Sequence, residues 1–276
     1  MNRKRMLIWI GDIIGCVVAF VVFIVPFLFM FINSLKDRKE ANALNMKLPE
    51  VFHWENYWKV IKESDFLILR AFKNSLLLSF FAVIILVIIC SMGGYYLQRR
   101  KDRLSKALNI YIMLGLMIPS AILPTIWVLQ RLGIFKTLFS MVLVEVALTI
   151  PFTIMLYIGY MSGIPSELEE SAYIDGCGPG KTFWLVIFPL LKSIHATSII
   201  LNAVSIFNDF TNPLYFLPGQ KNVTVQQTIY NFMGRYQTSY NLLFADVILI
   251  TLPMLILFLI FNKKIVEGIV AGAVKG

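Results

Sequence analysis

Apolar residues recur in this chain in runs long enough to cross a lipid bilayer, and that pattern dictates most of what it can fold into. Each helical crossing needs about 20 consecutive apolar residues. About six such runs are present, at approximately 8–32, 76–97, 110–129, 138–160, 184–207 and 242–261. Hydrophobic residues make up 58% of the 276 and charged ones only 15%, more apolar surface than a soluble domain could hide. Backbone groups in lipid must be satisfied within their own segment, so the runs are read as helices rather than open strands. The expected class is an all-α polytopic membrane protein, with an N-terminal tail (1–7), a transmembrane domain (8–265) and a C-terminal tail (266–276).

Arg3, Lys4 and Arg5 stand before the first run as they would in a signal peptide. The run is longer than a signal core and lacks a small-residue cleavage site, so it is read as a retained span. The net charge of +9 comes from basic residues flanking the spans, where they meet anionic lipid headgroups. No basic-aromatic groove is legible, so no nucleic-acid partner is expected. Cys16, Cys90 and Cys177 are odd in number and scattered, giving neither a disulfide framework nor a metal spacing. Lys and Arg divide almost evenly between the two membrane sides. Only the cluster Arg99, Arg100, Lys101, Arg103 and Lys106 favours a cytoplasmic address.

Between the fourth and fifth runs lies a polar stretch, Ser166 to Leu191. Ser166 followed by Glu169 predicts a capping box and a short helix over 167–175. Gly176 stands where a left-handed cap would end that helix, and Pro179 suits the first turn of a second. Asp175–Thr182 is one residue from a phosphate-binding loop. That pattern needs Gly at position 175 and a preceding strand. Here a helix is expected instead, and the Asp175 carboxylate would sit beside the phosphates, so no nucleotide site is read.

Glu170-Ser171-Ala172, three residues, Gly176, nine residues and Val186-Ile187-Phe188-Pro189 resemble the EAA loop of ABC importer permeases. The family pattern is Glu-Ala-Ala, three residues, Gly, nine residues, Ile-x-Leu-Pro; Ser171, Val186 and Phe188 are modest departures. The C-terminal stretch from Gly268 to Gly276 is similar to the small-residue tail of sugar-importer permeases, with Ile269 and Val270 where Leu-Thr is usual. The resemblance implies a permease subunit of a carbohydrate importer of the maltose and multiple-sugar class. It places residues 161–183 and both termini in the cytoplasm of a bacterial cell, with the protein in the inner or plasma membrane. It casts Glu167, Glu169, Glu170, Ala172, Asp175, Gly176 and Pro189 as the coupling contact to an ATPase, and Gly272 and Lys275 as a tail contact to the same partner. The implied assembly adds a second homologous permease, two cytoplasmic ATP-binding subunits, an external sugar-binding protein and membrane lipid. ATP and magnesium belong to the partner ATPases. This chain is expected to hold no cofactor or metal and to catalyse nothing itself.

Glu145 is the sole acidic residue deep in a run, so it is either functional or hydrogen-bonded to a neighbouring helix. Asn208, Asp209 and Asn212, with Phe210 and Tyr215 nearby, offer the amide, carboxylate and aromatic groups that sugars need. They could equally cap the end of a helix. The stretch also resembles the aromatic-Asn-x-Phe/Leu-x-x-Pro-Leu segment of the same permeases, with Phe207 in the aromatic place. Phe52, Trp54, Tyr57 and Trp58 are read as an interfacial anchor or a contact for an external partner. Pro119, Pro124 and Pro151 interrupt the third and fourth runs. The competing reading is an ion-coupled secondary sugar transporter, which expects internal repeats and paired intramembrane charges. Only Glu145 and Asp209 speak for it. A membrane enzyme is disfavoured because His53 and His195 fall on opposite faces.

Overall fold

A computed structural model describes the backbone of residues 3–233 and 238–273, with side chains described for Trp9, 11–233 and 238–261. Every regular element among these residues is helical. Helix α1 (Arg3–Ala19) passes through a π-helical turn (Phe20–Ile24) into α2 (Val25–Ser34), and together they form the first crossing. Pro26 lies just after the π-helical turn, which interrupts the regular ladder where the proline lacks its N–H. Every residue from Gly11 to Ile24 is exposed. An exposed helix that is apolar all round needs lipid or another membrane helix against it.

A polar knot follows. Lys36 is buried, and its Nζ donates to Asn33 Oδ1 (3.0 Å), Asn45 Oδ1 (3.0 Å) and the Asn45 carbonyl (2.8 Å). Three acceptors match the three donors of an ammonium group. Burial lowers the Lys36 pKa, with Glu40 acting in the opposite direction. The short helix α3 (Arg38–Asn42) is capped by Asp37, whose Oδ1 accepts from the Glu40 N–H at 2.7 Å.

Helix α4 (Glu55–Arg99) starts well before the expected span at 76, so part of the stretch expected to be soluble is helical. It is interrupted where Glu63 is extended and Ser64, Asp65 and Phe66 adopt left-handed backbone (φ 49°, 58° and 57°). Residues 55–62 are therefore a separate helix from 67–99. Trp54 and Trp58 are exposed, and the Trp54 ring meets Phe31 (6.2 Å) and Tyr57 (6.5 Å).

The third run is not one helix. It divides into α5 (Arg103–Met117) and α6 (Ile122–Arg131), bent by 116°. The cause is local: Ile118 precedes Pro119 and is held extended (ψ 122°), which the helix cannot continue through. Pro124 falls in the first turn of α6 and does no such damage. Helix α7 (Leu138–Met161) is a continuous crossing that accommodates Pro151, partly because Gly115 leaves room beside the ring.

After α7 come the short helices α8 (Glu167–Ile174), α9 (Pro179–Lys181) and α10 (Phe188–Leu190), with a π-helical turn (Thr182–Ile187) between the last two. Helix α11 (Lys192–Asn208) is bent by 74° from the 179–190 segment, so the expected span 184–207 is also broken. Helix α12 (Thr211–Phe216) and a 3₁₀ helix (Val225–Phe232) follow, and α13 (Tyr240–Ala273) is the last crossing. Among the described residues, four helices are long and apolar enough to cross alone, and up to six crossings result if each bent pair counts as one.

The chain packs as two units, 1–70 with 228–253 and 71–227 with 254–276. In the first, Thr228 donates its hydroxyl to the buried Asp246 carboxylate (3.0 and 3.1 Å). The core of the second includes Leu86, Cys90, Met141, Tyr157, Ile187 and Leu191. Helices α4 and α7 approach closely at Gly94, where an added Cβ would lie 2.6 Å from Tyr157 Cβ. We predict that Gly94→Val destabilises the purified protein by about 1–3 kcal/mol through overpacking, read as a lower thermal midpoint in detergent. Gly159→Ala, which meets nothing within 4 Å, leaves that midpoint unchanged.

Candidate functional site

The polar insertion folds as the sequence suggested in outline, but its start differs. Ser166 adopts helical backbone (φ −71°, ψ −22°), and its side chain makes no capping bond. The predicted capping box is therefore absent. Its Glu169 arm is drawn elsewhere: Arg99 Nε donates to Glu169 Oε1 at 2.6 Å, and the Tyr95 hydroxyl donates to Oε2 at 3.0 Å. The Glu169 N–H instead reaches the Ser166 carbonyl at 2.9 Å. Arg99 also donates from Nη2 to the Ile164 carbonyl at 2.8 Å, tying down the loop just after α7. The guanidinium is at the C-terminal end of α4 and the carboxylate in the first turn of α8, so both helix dipoles favour the charges they carry.

The end of α8 forms as expected. Gly176 has φ +83°; its N–H donates to the Tyr173 carbonyl (3.0 Å), while the Cys177 N–H donates to the Ala172 carbonyl (2.9 Å). These are the two bonds of a Schellman cap. Gly178 is extended, Pro179 opens α9, and the Thr182 N–H closes on the Gly178 carbonyl at 3.0 Å. The decoy phosphate loop thus follows a helix, as read from the sequence.

Of the coupling candidates, Glu169 and Ala172 face inward and are buried. Glu167, Glu170, Asp175, Gly176 and Pro189 are exposed, as are Leu168, Tyr173 and Ile174, the last at 86%. Helix α8 therefore presents an acidic and apolar outer face while one carboxylate anchors it. Pro189 lies in α10, just before the bend into α11. There His195 contacts both the Tyr157 hydroxyl (2.7 Å) and the Phe188 carbonyl (3.1 Å). Further along α7 and α11, Asn202 bonds Thr153 Oγ1 (3.2 Å) and Ser198 Oγ (3.1 Å). The two spans are joined by a polar seam. Arg99, Tyr95, Tyr157 and His195 were not singled out for these roles, since their partners lie 7 to 74 residues away.

The substrate candidates are placed differently from one another. Asp209 Oδ1 accepts from the N–H groups of Thr211 (2.9 Å) and Asn212 (3.2 Å), and Oδ2 accepts from Asn212 Nδ2 (2.6 Å). It holds the start of α12, whereas the plainer sequence reading had these side chains capping the end of the preceding span. Asn208 Oδ1 accepts from Gln226 Nε2 at 3.0 Å. Glu145 is buried in α7, and its Oε1 has no hydrogen-bond partner among the described residues. Asn212 also lines a cavity of about 200 Å³ with Ser120, Thr125, Val144 and Phe216. Gly272 falls within the last turns of α13, and Lys275 lies outside the described residues.

Membrane-crossing helices and a helix–hinge–helix insertion on an ion-paired anchor are the features that the comparisons have to account for. Residues 85–269 match the family described as binding-protein-dependent transport system inner membrane component, and the chain belongs to that family. It is 31% identical over 278 residues to the melibiose/raffinose/stachyose import permease protein MelC of Bacillus subtilis, covering 100% of this chain and 98% of MelC. It is 28% identical to the multiple sugar-binding transport system permease protein MsmG of Streptococcus mutans, with complete coverage of both. Its fold matches a chain of a bacterial ABC transporter involved in import of the acidic polysaccharide alginate, with a TM-score of 0.82 over 95% of this chain and 98% of that one, at 18% identity.

Removing one member of a buried ion pair leaves the other charge uncompensated, at a cost of about 3–5 kcal/mol. Glu169→Gln keeps the shape but loses the charge and turns one of the two acceptors into a donor. We predict faster proteolysis of the 162–180 loop in Glu169→Gln and Arg99→Ala, with partial restoration in the exchanged pair Arg99→Glu/Glu169→Arg.

Proposed function

We propose that this chain is the membrane-spanning subunit of an ATP-driven importer that takes up an oligosaccharide delivered by an external binding protein. The observation that carries the reading is the α8 insertion: a short helix, acidic and apolar outside, ion-paired inside, and ended by a left-handed glycine. Such a helix is a rigid body that a cytoplasmic partner can grip and push. Membership of a binding-protein-dependent family supports it, as do relatives named for melibiose, raffinose and stachyose or for multiple sugars.

On this reading the 161–183 loop and both termini are cytoplasmic. The outer face of α8 enters a cleft of an ATP-binding subunit, with Glu167, Glu170 and Asp175 meeting basic groups there. A second, related permease completes the pathway, and two ATPase subunits hold the ATP and magnesium. Nucleotide-driven closure displaces α8; α9 and α10 carry the displacement to the bend at Leu191 and so into α11. Inward- and outward-facing states form an equilibrium that nucleotide and loaded binding protein bias through their different affinities for each state. Asn208, Asp209, Asn212 and Glu145 line the sugar's route, where amide and carboxylate groups exchange their present partners for sugar hydroxyls.

Two expected outcomes test this. No atom lies within 4 Å of a Cβ added at Gly176, so a side chain there acts only through the backbone. A β-branched residue at φ +83° costs roughly 1–2 kcal/mol. Gly176→Val should lower sugar uptake by at least about tenfold while ATP hydrolysis by the complex persists; normal uptake at normal membrane levels would sink the lever reading. Asp209→Asn preserves an acceptor for the α12 cap but removes the charge. It should raise the KM for sugar uptake by about tenfold, the worth of one charged hydrogen bond. An unchanged KM would reduce Asp209 to a helix cap.

A further inference from the structure

We propose that His195 is the positioning residue that passes motion of the α8–α10 segment to span α11, through one hydrogen bond laid across the bend. The inference rests on the lever reading above and adds to it the place where the lever grips the membrane domain. Its basis is geometric. The 179–190 segment and α11 meet at 74°, and Leu191 at the junction departs from helical backbone (φ −80°, ψ 8°). At that joint the Leu191 N–H donates to the Ile187 and Phe188 carbonyls (3.2 Å each) and the Leu191 carbonyl accepts from the His195 N–H (2.8 Å), so these backbone bonds all hinge on one residue.

His195, one turn into α11, closes that joint. Its Nε2 lies 3.1 Å from the Phe188 carbonyl on the far side of the bend. A carbonyl oxygen only accepts, so Nε2 carries the proton, and in the neutral ring Nδ1 is then an acceptor. The Tyr157 hydroxyl, 2.7 Å from Nδ1, supplies the donor from α7. Tyr157 is fully buried, and the Phe188 ring lies against the imidazole at 4.3 Å between centroids. The ring is thus fixed by a donor on one side, an acceptor on the other and an aromatic face above. Three elements, α7, α10 and α11, meet in one side chain. The Asn202–Thr153 bonds between α7 and α11 lie on the same seam, so a push delivered to Phe188 reaches both spans. A histidine placed only for packing would need neither polar contact.

The test uses the complete importer, reconstituted in liposomes with its binding protein and supplied with its sugar, and reads ATP hydrolysed per sugar transported. His195→Ala removes both bonds. His195→Gln keeps a donor near Nε2 for the Phe188 carbonyl, whereas His195→Asn keeps only an acceptor near Nδ1. The expected result is a ratio raised roughly fivefold in His195→Ala and His195→Asn, and one within about twofold of the native value in His195→Gln. His195→Asn gives the reading if His195→Ala does not assemble, and Tyr157→Phe, which leaves the Phe188 bond in place, is expected within about twofold of the native value. A native ratio in His195→Ala, or in His195→Asn where it stands in, overturns the proposal. So does a His195→Gln variant as uncoupled as His195→Asn, because a merely structural role would not separate the two amides. Gly176→Val is measured beside them. Normal uptake in that variant removes the lever itself; uncoupling in Gly176→Val beside a native ratio in His195→Ala overturns only the role of His195.

Discussion

The ion pair between Arg99 and Glu169 is the interaction on which the insertion depends. A helix of eight residues has too few internal bonds to persist in water by itself. Here its first turn is held to the end of α4 by a guanidinium at 2.6 Å, and the same guanidinium secures the chain leaving α7 at Ile164. Burying two charges is costly unless their remaining hydrogen-bonding groups are met. Tyr95 and the Ile164 carbonyl meet them. The outcome is a helix fixed at one face and free at the other, the condition for receiving a force and transmitting it.

Transmission then depends on where the chain is stiff. Gly176 permits a sharp reversal that two backbone bonds lock. The π-helical turn and α10 continue into a bend that the His195–Phe188 contact spans, and Asn202–Thr153 ties α11 to α7. Such contacts, buried among apolar side chains, are geometrically demanding, and this is what makes them suited to keeping two spans in register. At the far end of α11 the Asp209 carboxylate organises α12, so the substrate candidates stand on a structured turn rather than a loose loop.

Much of this was legible in the sequence wherever the signal was local. Apolar run length marked stretches that hold long apolar helices or bent helix pairs, and a glycine six residues after Glu170 announced the left-handed cap. The pre-proline residue Ile118 could have warned that the third span breaks, yet hydropathy averages over such a residue without registering it. The bend before α11 was equally silent, because Leu191 is an ordinary apolar residue. The Ser166–Glu169 capping box failed for a different reason. A partner 70 residues away offers Glu169 a charged bond stronger than the local one, and no window along the chain contains both residues. The same separation concealed Tyr157 and His195.

The central claim, that the outer face of α8 is the contact for a cytoplasmic ATPase, is tested most directly by site-specific photocrosslinking in the native membrane. A photoreactive residue at Ile174, exposed at 86%, samples that face, and one at the exposed Trp58 samples a surface that lies outside on this topology. The account predicts that position 174 crosslinks to an ATP-binding subunit, that the yield changes on adding ATP, and that position 58 gives no such product. A position-174 probe that labels only lipid or an external protein would contradict it.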